Sequence, residues 1–323
     1  MFETEIAADM GSAVTRLATR KTISSNETRA ALDPKNASRV LAVGDASRKL
    51  LGATEAYPVR GGIADITLAA LMLRRFALEL LGRRSLVGVT LKLAFPFAQK
   101  PIDRAAAVEV GREAGFRRVI LTDSLLAAAD GAGVDILSPK ANMLVDIGRN
   151  SINTAVFANG GVISETASHM GSALADRAIM SYFAEEQRML IGSAAAERIK
   201  KSLGSALIRV SGRDPSSGMP SVRELRPSAL REAIKPCIDM LCSEVACAIA
   251  ALPPDAAADL IENGITLTGG GALQFGLGER FEDLLGVPVT VAQNAENAAI
   301  LGMQQSLMRG SAVDIDALSK QLG

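Results

Sequence analysis

Two short stretches carry residue types suited to holding a phosphate chain and a metal ion. Ala8-Asp9-Met10-Gly11-Ser12-Ala13-Val14-Thr15 runs from an apolar residue into an Asp, one apolar residue, a Gly and then small or polar residues. Leu144-Val145-Asp146-Ile147-Gly148-Arg149-Asn150-Ser151-Ile152-Asn153-Thr154 repeats that order. Glycine permits a turn in which backbone N–H groups converge on an anion. The Asp suits the water shell of a hard cation such as Mg²⁺, which takes oxygen ligands and keeps several waters. Two such turns facing each other would clamp a polyphosphate and its metal, with Asp9 and Asp146 on the metal side. Either stretch alone also reads as a β-turn that uses Asp and Gly. The internal repeat, and a third Gly-rich turn at Thr268-Gly269-Gly270-Gly271, favour the phosphate reading.

These turns need strands to feed them, and the pattern supplies them. Met143–Ile147 reads as a strand entering the second turn and Ile152–Ala158 as its return; Arg16–Thr22 returns from the first. Ser24–Tyr57 is polar and irregular, with Val40–Val43 as a short strand, and reads as a small insertion. Asp65 caps a helix whose apolar positions Ile66, Ala69, Leu73, Phe76 and Leu80 recur at helical spacing up to Gly82. Leu91–Phe95 is a strand, Pro101 opens a helix to Glu113, Arg118–Leu121 is a strand and Leu125–Gly131 a short helix. The second half repeats the alternation. Helices are predicted over Gly171–Met189, from Ser193 to Gly204, and from Pro227 to Leu252 with a bend near Pro236. Leu207–Arg213, Ile265–Leu267 and Val287–Val291 are strands, and Asn294 starts a final helix to about Met308. Alternation of this kind predicts an α/β protein.

Composition narrows the class. The 323 residues suggest about two domains of roughly 150 residues. Lys+Arg and Asp+Glu both total 35, so no net field draws the chain to nucleic acid or membrane. Aromatics are only 3%, so the core is aliphatic. Cys237, Cys242 and Cys247 sit five residues apart in one predicted helix and do not share a face. That argues against a disulfide or metal site and for a reducing, cytoplasmic setting. The sequence shows neither a signal-peptide pattern nor an apolar run of the roughly 18 residues that span a membrane. His169, the sole histidine, gets a structural role.

The ordered motifs resemble a known family. Asp9-x-Gly11-Ser12, Asp146-x-Gly148, Ala196-Glu197-Arg198-Ile199-Lys200 and Thr268-Gly269-Gly270-Gly271-Ala272 follow one another as in the actin-like ATPase superfamily. Within it, the chain is most similar to the MreB family of bacterial actin homologues. The resemblance runs nearly end to end and includes Gly62-Ile63-Ala64-Asp65, Ala127-Ala128-Ala129 and Gly212-Arg213-Asp214. It implies an actin-like two-lobed α/β fold, each lobe a mixed sheet flanked by helices, with ATP in the cleft between lobes. Residues 1–140 would form the first lobe, with an insertion at about 24–58 and the helix of about 294–323 packed back on it. Residues 141–293 would form the second, with a small subdomain at about 182–235. By the same resemblance, Asp9 and Asp146 would position Mg²⁺ through water. Gly11, Ser12 and the backbone after Gly148 would hold phosphates. Glu197 and Lys200 would reach the ribose and adenine, and Gly269, Gly270 and Gly271 would let the backbone approach the nucleotide.

The departures matter as much. Where the family's second turn has successive glycines and a Thr, this chain has Arg149, Asn150 and Ser151. A Cβ there narrows the space for a phosphate, although Arg149 could itself bind one. The family's water-orienting Glu, before a Pro, is replaced by Ser124 before Leu125, with Asp123 one residue early. The acidic residue of its Gly-Gly-Asp is lost in Gly171-Ser172-Ala173. Slow or absent hydrolysis is therefore expected, since a positioned acid/base group typically contributes about 10²–10⁴ in rate.

MreB proteins meet the membrane through an N-terminal amphipathic helix or an apolar loop in the first lobe. The strand at the start of this sequence leaves the loop as the expected device, with Leu86 and Val87 at its tip and Arg83 and Arg84 beside it; Leu86–Val89 also reads as a buried strand. The resemblance implies an ATP-binding, filament-forming protein of cell shape and wall organisation, at the inner face of the membrane. Partners would be further copies of the chain, a second MreB-like protein, membrane morphogenetic proteins and an anionic membrane, and no nucleic acid. A pseudo-ATPase scaffold or co-polymer is the alternative, ahead of a small-molecule kinase or chaperone-like ATPase.

Overall fold

The computed structural model describes residues 4–309. The first half runs β1 (Thr4–Met10), β2 (Val14–Ala18), β3 (Ile23–Glu27), β4 (Ala30–Asp33), β5 (Asn36–Val43), β6 (Thr54–Ala56), α1 (Ile66–Leu81), β7 (Val89–Phe95), α2 (Pro101–Glu113), β8 (Arg118–Asp123) and α3 (Ser124–Ala132). The second runs β9 (Asn142–Ile147), β10 (Ile152–Ala158), β11 (Gly161–Ser168), α4 (Ala173–Glu185), α5 (Ser193–Lys201), β12 (Ile208–Arg213), β13 (Pro220–Leu225), α6 (Ser228–Ala250), α7 (Pro254–Asn263), β14 (Ile265–Thr268), α8 (Leu277–Leu285), β15 (Val289–Val291) and α9 (Ala298–Arg309).

The internal repeat of the sequence is a repeat of topology. One five-stranded sheet has the order β3-β2-β1-β7-β8 and the other β11-β10-β9-β14-β15. In each, an antiparallel three-strand meander joins two parallel strands through its first strand. Crossover helices cover the parallel strands, so β7 is buried along its whole length. Each sheet has its own aliphatic core. A third core joins them: Leu125 and Leu126 of α3 and Ile300 and Met303 of α9 meet Ala7 of one sheet and Leu144 and Phe157 of the other. There α3 and α9 cross at glycines. A Cβ on Gly131 would run into the backbone of Ala298, and one on Gly302 into that of Ala127.

Local signals hold where they are strong. The Asp65 side chain accepts from the Leu68 N–H at 2.9 Å, and Gly82 ends α1 in the left-handed region with φ 60°. Pro236 lies inside α6. Cys237 and Cys242 are buried, Cys247 is exposed, and all three are free.

The expected irregular segment of 24–57 is instead rich in strands, and β4, β5 and β6 form a separate three-stranded sheet. Most of β5 faces solvent, and its pairing with β4 shifts register twice, so no apolar alternation marks it. Likewise β11 and β13 lie at sheet edges, outside the strands the sequence pattern marks. Gly192, not Ser193, caps α5, and a short 3-10 turn over Ala295–Asn297 separates Asn294 from α9. Residues 310–323 of the predicted final segment lie outside the described residues.

Candidate functional site

Asp9 and Asp146 occupy equivalent register positions. Each sits near the end of the central strand of its sheet, Asp9 opposite Ala94 of the parallel neighbour and Asp146 opposite Thr268. Across the hairpins, Asp9 faces Arg16 and Asp146 faces Asn153. Ligands of open α/β sheets bind beyond the carboxyl ends of strands. Both carboxylates line one cleft of about 540 Å³ between the two halves, with Gly11, Ser12, Ser124, Gly148, Arg149, Ser151, Glu197, Lys200, Gly269, Gly270 and Gly271. That volume is in the range of small-molecule sites.

The two turns are geometric twins. The Gly11 N–H donates to the Val14 carbonyl at 3.1 Å, and the Gly148 N–H to the Ser151 carbonyl at 2.8 Å. Between those residues the amides of Ser12, Ala13, Arg149 and Asn150 have no backbone acceptor among the described residues. Arg149 and Asn150 are not among the residues with positive φ. The second turn therefore never needed glycine's left-handed region, and the Arg and Asn enter without backbone strain. Gly269 does need it, at φ +81°, because a Cβ would meet the Ile147 carbonyl and Asp146 Oδ1. At Gly270 a Cβ would meet nothing within 4 Å, so the backbone there presents itself to open space. Gly61 closes the cleft mouth. Its N–H donates to Ser12 Oγ at 2.8 Å, and a Cβ would meet the Asn150 carbonyl.

The electrostatics indicate a cation-ready floor. Burial pushes the Asp146 carboxyl up to about 6, and the charge of Asp9 adds to the shift. Burial likewise raises Asp9, against the charge of Arg16. Thr268 Oγ1 donates to Asp146 Oδ1 at 3.2 Å, and Asn153 also hydrogen-bonds this carboxylate. Asn153 is 3% exposed and its Oδ1 has no partner. Two mutually repelling carboxylates beside an unmet amide oxygen form an all-oxygen set, which is the donor chemistry of Mg²⁺. The residues present thus fit a metal–polyphosphate.

Glu197, Lys200 and Arg149 are brought together but are engaged with their neighbours. Arg149 Nη1 donates to Glu197 Oε2 at 3.1 Å, and Arg149 Nη2 lies 3.6 Å from Asp176 Oδ2. Lys200 Nζ pairs with Asp176 Oδ1 at 2.8 Å and donates to the Ser172 carbonyl at 3.0 Å. Lys201 Nζ holds Glu197 Oε1 at 3.0 Å. Burial pushes the Glu197 carboxyl up, but Lys201 and Arg149 together outweigh it and hold it low. Asp176, which sequence reasoning missed, stands at the centre of this network and is 2% exposed.

Asp123 does not act on the cleft. It is not among the lining residues, and its Oδ1 caps α3 by accepting from the N–H groups of Leu125 and Leu126, each at 2.8 Å. Its Oδ2 accepts from the Phe97 N–H at 3.2 Å. It also shares a hydrogen bond with Glu165 of the other sheet, whose carboxyl is pushed up to about 7 by burial and by the charge of Asp123. Ser124, one residue on, does line the cleft. The expected membrane tip is corrected in part. Leu86 is 1% exposed and belongs to the first core, because the chain turns inward just before β7. Val87 is 82% exposed, Arg84 is exposed, and Arg83 donates to Thr4 Oγ1 at 3.1 Å.

Comparison with known proteins agrees with this architecture. The family model of MreB/Mbl protein matches residues 3–314. The cell shape-determining protein Mbl of Bacillus subtilis is 30% identical over 316 residues, 94% of this chain and 95% of that protein. The cell shape-determining protein MreB of Escherichia coli is 31% identical over 317 residues, 91% of this chain and 90% of that one. The crystal structure of MreB5 of Spiroplasma citri bound to AMPPNP superposes with a TM-score of 0.86 at 24% identity, over 94% of this chain and 96% of that one. A subunit of a MamK double helical filament superposes with a TM-score of 0.75 at 14% identity, over 94% and 98%.

Proposed function

From the chain's membership of the MreB/Mbl family, to which it belongs, we propose that it is a nucleotide-binding cytoskeletal protein that polymerises and organises cell shape at the inner face of the membrane. The observation that carries this is the convergence of Asp9 and Asp146, from equivalent strands of two like sheets, on one cleft walled by open turn amides. Relatives support it: one solved neighbour is bound to AMPPNP, a second MreB5 structure to ADP, and another neighbour is a filament.

Asp9 and Asp146 would hold Mg²⁺, which supplies charge neutralisation for the phosphates of ATP when bound. Ser12 and the amides of both turns bind phosphate oxygens. The backbone of Gly269–Gly271 lines the nucleoside side. Ser124 stands in the cleft where the family has its Glu, and an unaided hydroxyl is a poor general base, so hydrolysis is slow. Among the described residues no helix is long and apolar enough to cross a membrane. Membrane contact runs through Val87 with Arg83 and Arg84, and is strong only when many subunits act together.

A second reading, a pseudo-ATPase that co-polymerises with a competent MreB-like protein, is favoured by the Arg149–Glu197 ion pair across the cleft wall. Electron microscopy of the purified protein on anionic lipid, with ATP, ADP or no nucleotide, separates them. Nucleotide-dependent filaments support the first reading. Filaments indifferent to nucleotide, or formed only with a second MreB-like protein, support the second.

A further inference from the structure

The two halves of the molecule meet in a carboxyl pair outside the cleft. Glu165 lies on β11, the edge strand of the second sheet. From there it reaches the first half. Its Oε1 accepts from the Ala98 N–H at 3.1 Å, and its carboxyl shares a hydrogen bond with that of Asp123. Neither acid lines the cleft. Two carboxyl groups in one hydrogen bond need a proton between them, since like charges at that distance do not both ionise. Asp123 is 1% exposed and already accepts from the N–H groups of Phe97, Leu125 and Leu126. Three such bonds favour its ionised form, so the proton rests on Glu165, which donates to Asp123. Burial and the charge of Asp123 hold it there. The surrounding elements add few charges. β10 and β11 carry no other charged side chain, and the loop of 96–100 brings only the exposed Lys100. Arg118 and Asp130 lie at the far ends of β8 and α3. The first turn of α2 carries Asp103 and Arg104. Arg104 is engaged with Phe97, donating to its carbonyl at 2.6 Å and lying 4.9 Å over its ring.

We propose that Asp123 and Glu165 form a proton-dependent clasp that fixes the angle between the two halves. With the proton in place, the edge of the second sheet is tied to the start of α3. Without it the two carboxylates repel, Asp123 stays on its three amides, and Glu165 withdraws with its strand. The halves then turn about the crossing of α3 and α9, where Gly131 and Gly302 bring the backbones together. Gly131 lies eight residues beyond Asp123, about 12 Å along the helix, so a small rotation there parts the pair. The Glu165 carboxyl sits at about 7, so the proton comes and goes around neutral pH. The clasp itself needs neither nucleotide nor metal.

The test is amide hydrogen exchange and small-angle X-ray scattering of the full-length, nucleotide-free protein at pH 6 and pH 8, kept too dilute to assemble. The protonated fraction of a group at about 7 falls about tenfold between those values. Exchange at the Ala98 amide, corrected for its intrinsic pH dependence, should therefore quicken about tenfold in wild type, and the radius of gyration should grow. Glu165→Gln keeps a donor for Asp123 and an acceptor for Ala98 but does not titrate, so it should stay slow and compact at both pH values. Glu165→Ala should be fast and expanded at both. The Gln variant leaves Asp146 intact, so it also separates the clasp from that carboxyl, which lies at about 6. A merely structural hydrogen bond would quicken Ala98 exchange without changing the radius, and that result overturns the proposal. A Gln variant that follows pH as wild type does overturns it as well. So does wild-type protein whose exchange and radius are the same at both pH values, a result that needs no variant to fold.

Discussion

Replacing Arg149 with Ala should tighten nucleotide binding while slightly weakening the nucleotide-free fold. In the structure Arg149 spans from the second phosphate turn to Glu197 at 3.1 Å and approaches Asp176 at 3.6 Å. Neither acid is stranded by its removal, since Glu197 keeps Lys201 at 3.0 Å and Asp176 keeps Lys200 at 2.8 Å. The Arg149 and Glu197 side chains are 24% and 27% exposed. A charged hydrogen bond in that setting is worth about 1–2 kcal/mol, between the values for buried and for surface pairs. If nucleotide entry has to break it, its loss raises affinity by about 5–30-fold. Against this, a polyphosphate loses the long-range attraction of one cation, roughly 0.5 kcal/mol for unit charges about 8 Å apart in water. The released latch outweighs that term. Titration calorimetry with ADP and ATP, paired with thermal melts of nucleotide-free protein, reads both effects. A tenfold weaker affinity would refute the reasoning and make Arg149 a direct phosphate ligand. An unchanged affinity would show that the ion pair need not open.

Ser124→Glu restores a carboxylate facing the cleft, and at the first turn of α3 a Glu also suits the helix dipole; single-turnover ATP hydrolysis should accelerate, by up to about 10²–10⁴. The Glu165 carboxyl lies at about 7, above its ordinary 4.5, because of burial and then Asp123, so the folded protein holds this proton more tightly than the unfolded chain. The contribution of this group to stability is therefore fully present below pH 4.5 and is lost as pH rises through about 7. Melting temperatures of wild type should drop between pH 6 and pH 8, a drop that Glu165→Gln should reduce, the remainder belonging to other buried carboxyls such as Asp146, raised to about 6. Val87→Ser combined with Arg83→Ser and Arg84→Ser should reduce co-sedimentation with anionic liposomes; undiminished pelleting would place the membrane contact elsewhere.

The sequence made the central strands, the acidic turns and the capped helices readable because these features are local. An Asp at a helix start, a Gly beyond its end and an apolar run into Asp-x-Gly all act within a few residues. What it hid depends on partners far along the chain. The strand β5 pairs at a sheet with one solvent face and shows no alternation. Asp123 reads as a candidate catalytic acid because it neighbours Ser124 in sequence, yet its oxygens are committed to capping α3 and to the Phe97 amide. The family resemblance sets Leu86 at a loop tip while its apolar neighbours also read as a buried strand, and the inward turn before β7 puts it in the core. Nothing around Arg149 or Asp176 announces that they pair, since Gly171 has to bring the turn against the start of α4 for them to meet. A Cβ on Gly171 would run into the Arg149 carbonyl, at 2.6 Å.

The symmetry of the two sheets also explains why the cleft is uneven. Equivalent registers put Asp9 opposite Arg16 and Asp146 opposite Asn153. Arg16 is itself fixed, its Nε donating to Asn297 Oδ1 at 2.8 Å, so its charge stays near both acids and lowers each. Asn153 brings no charge to offset burial on its own side. The first turn therefore carries its counterion within the fold, while the second depends on whatever enters the cleft. Arg149 adds to that pattern: the guanidinium of the second turn is paired with Glu197 and Asp176. Asp9 and Asp146 would hold a divalent ion, which would supply the positive charge that the second turn, facing Asn153 rather than an arginine, does not carry itself.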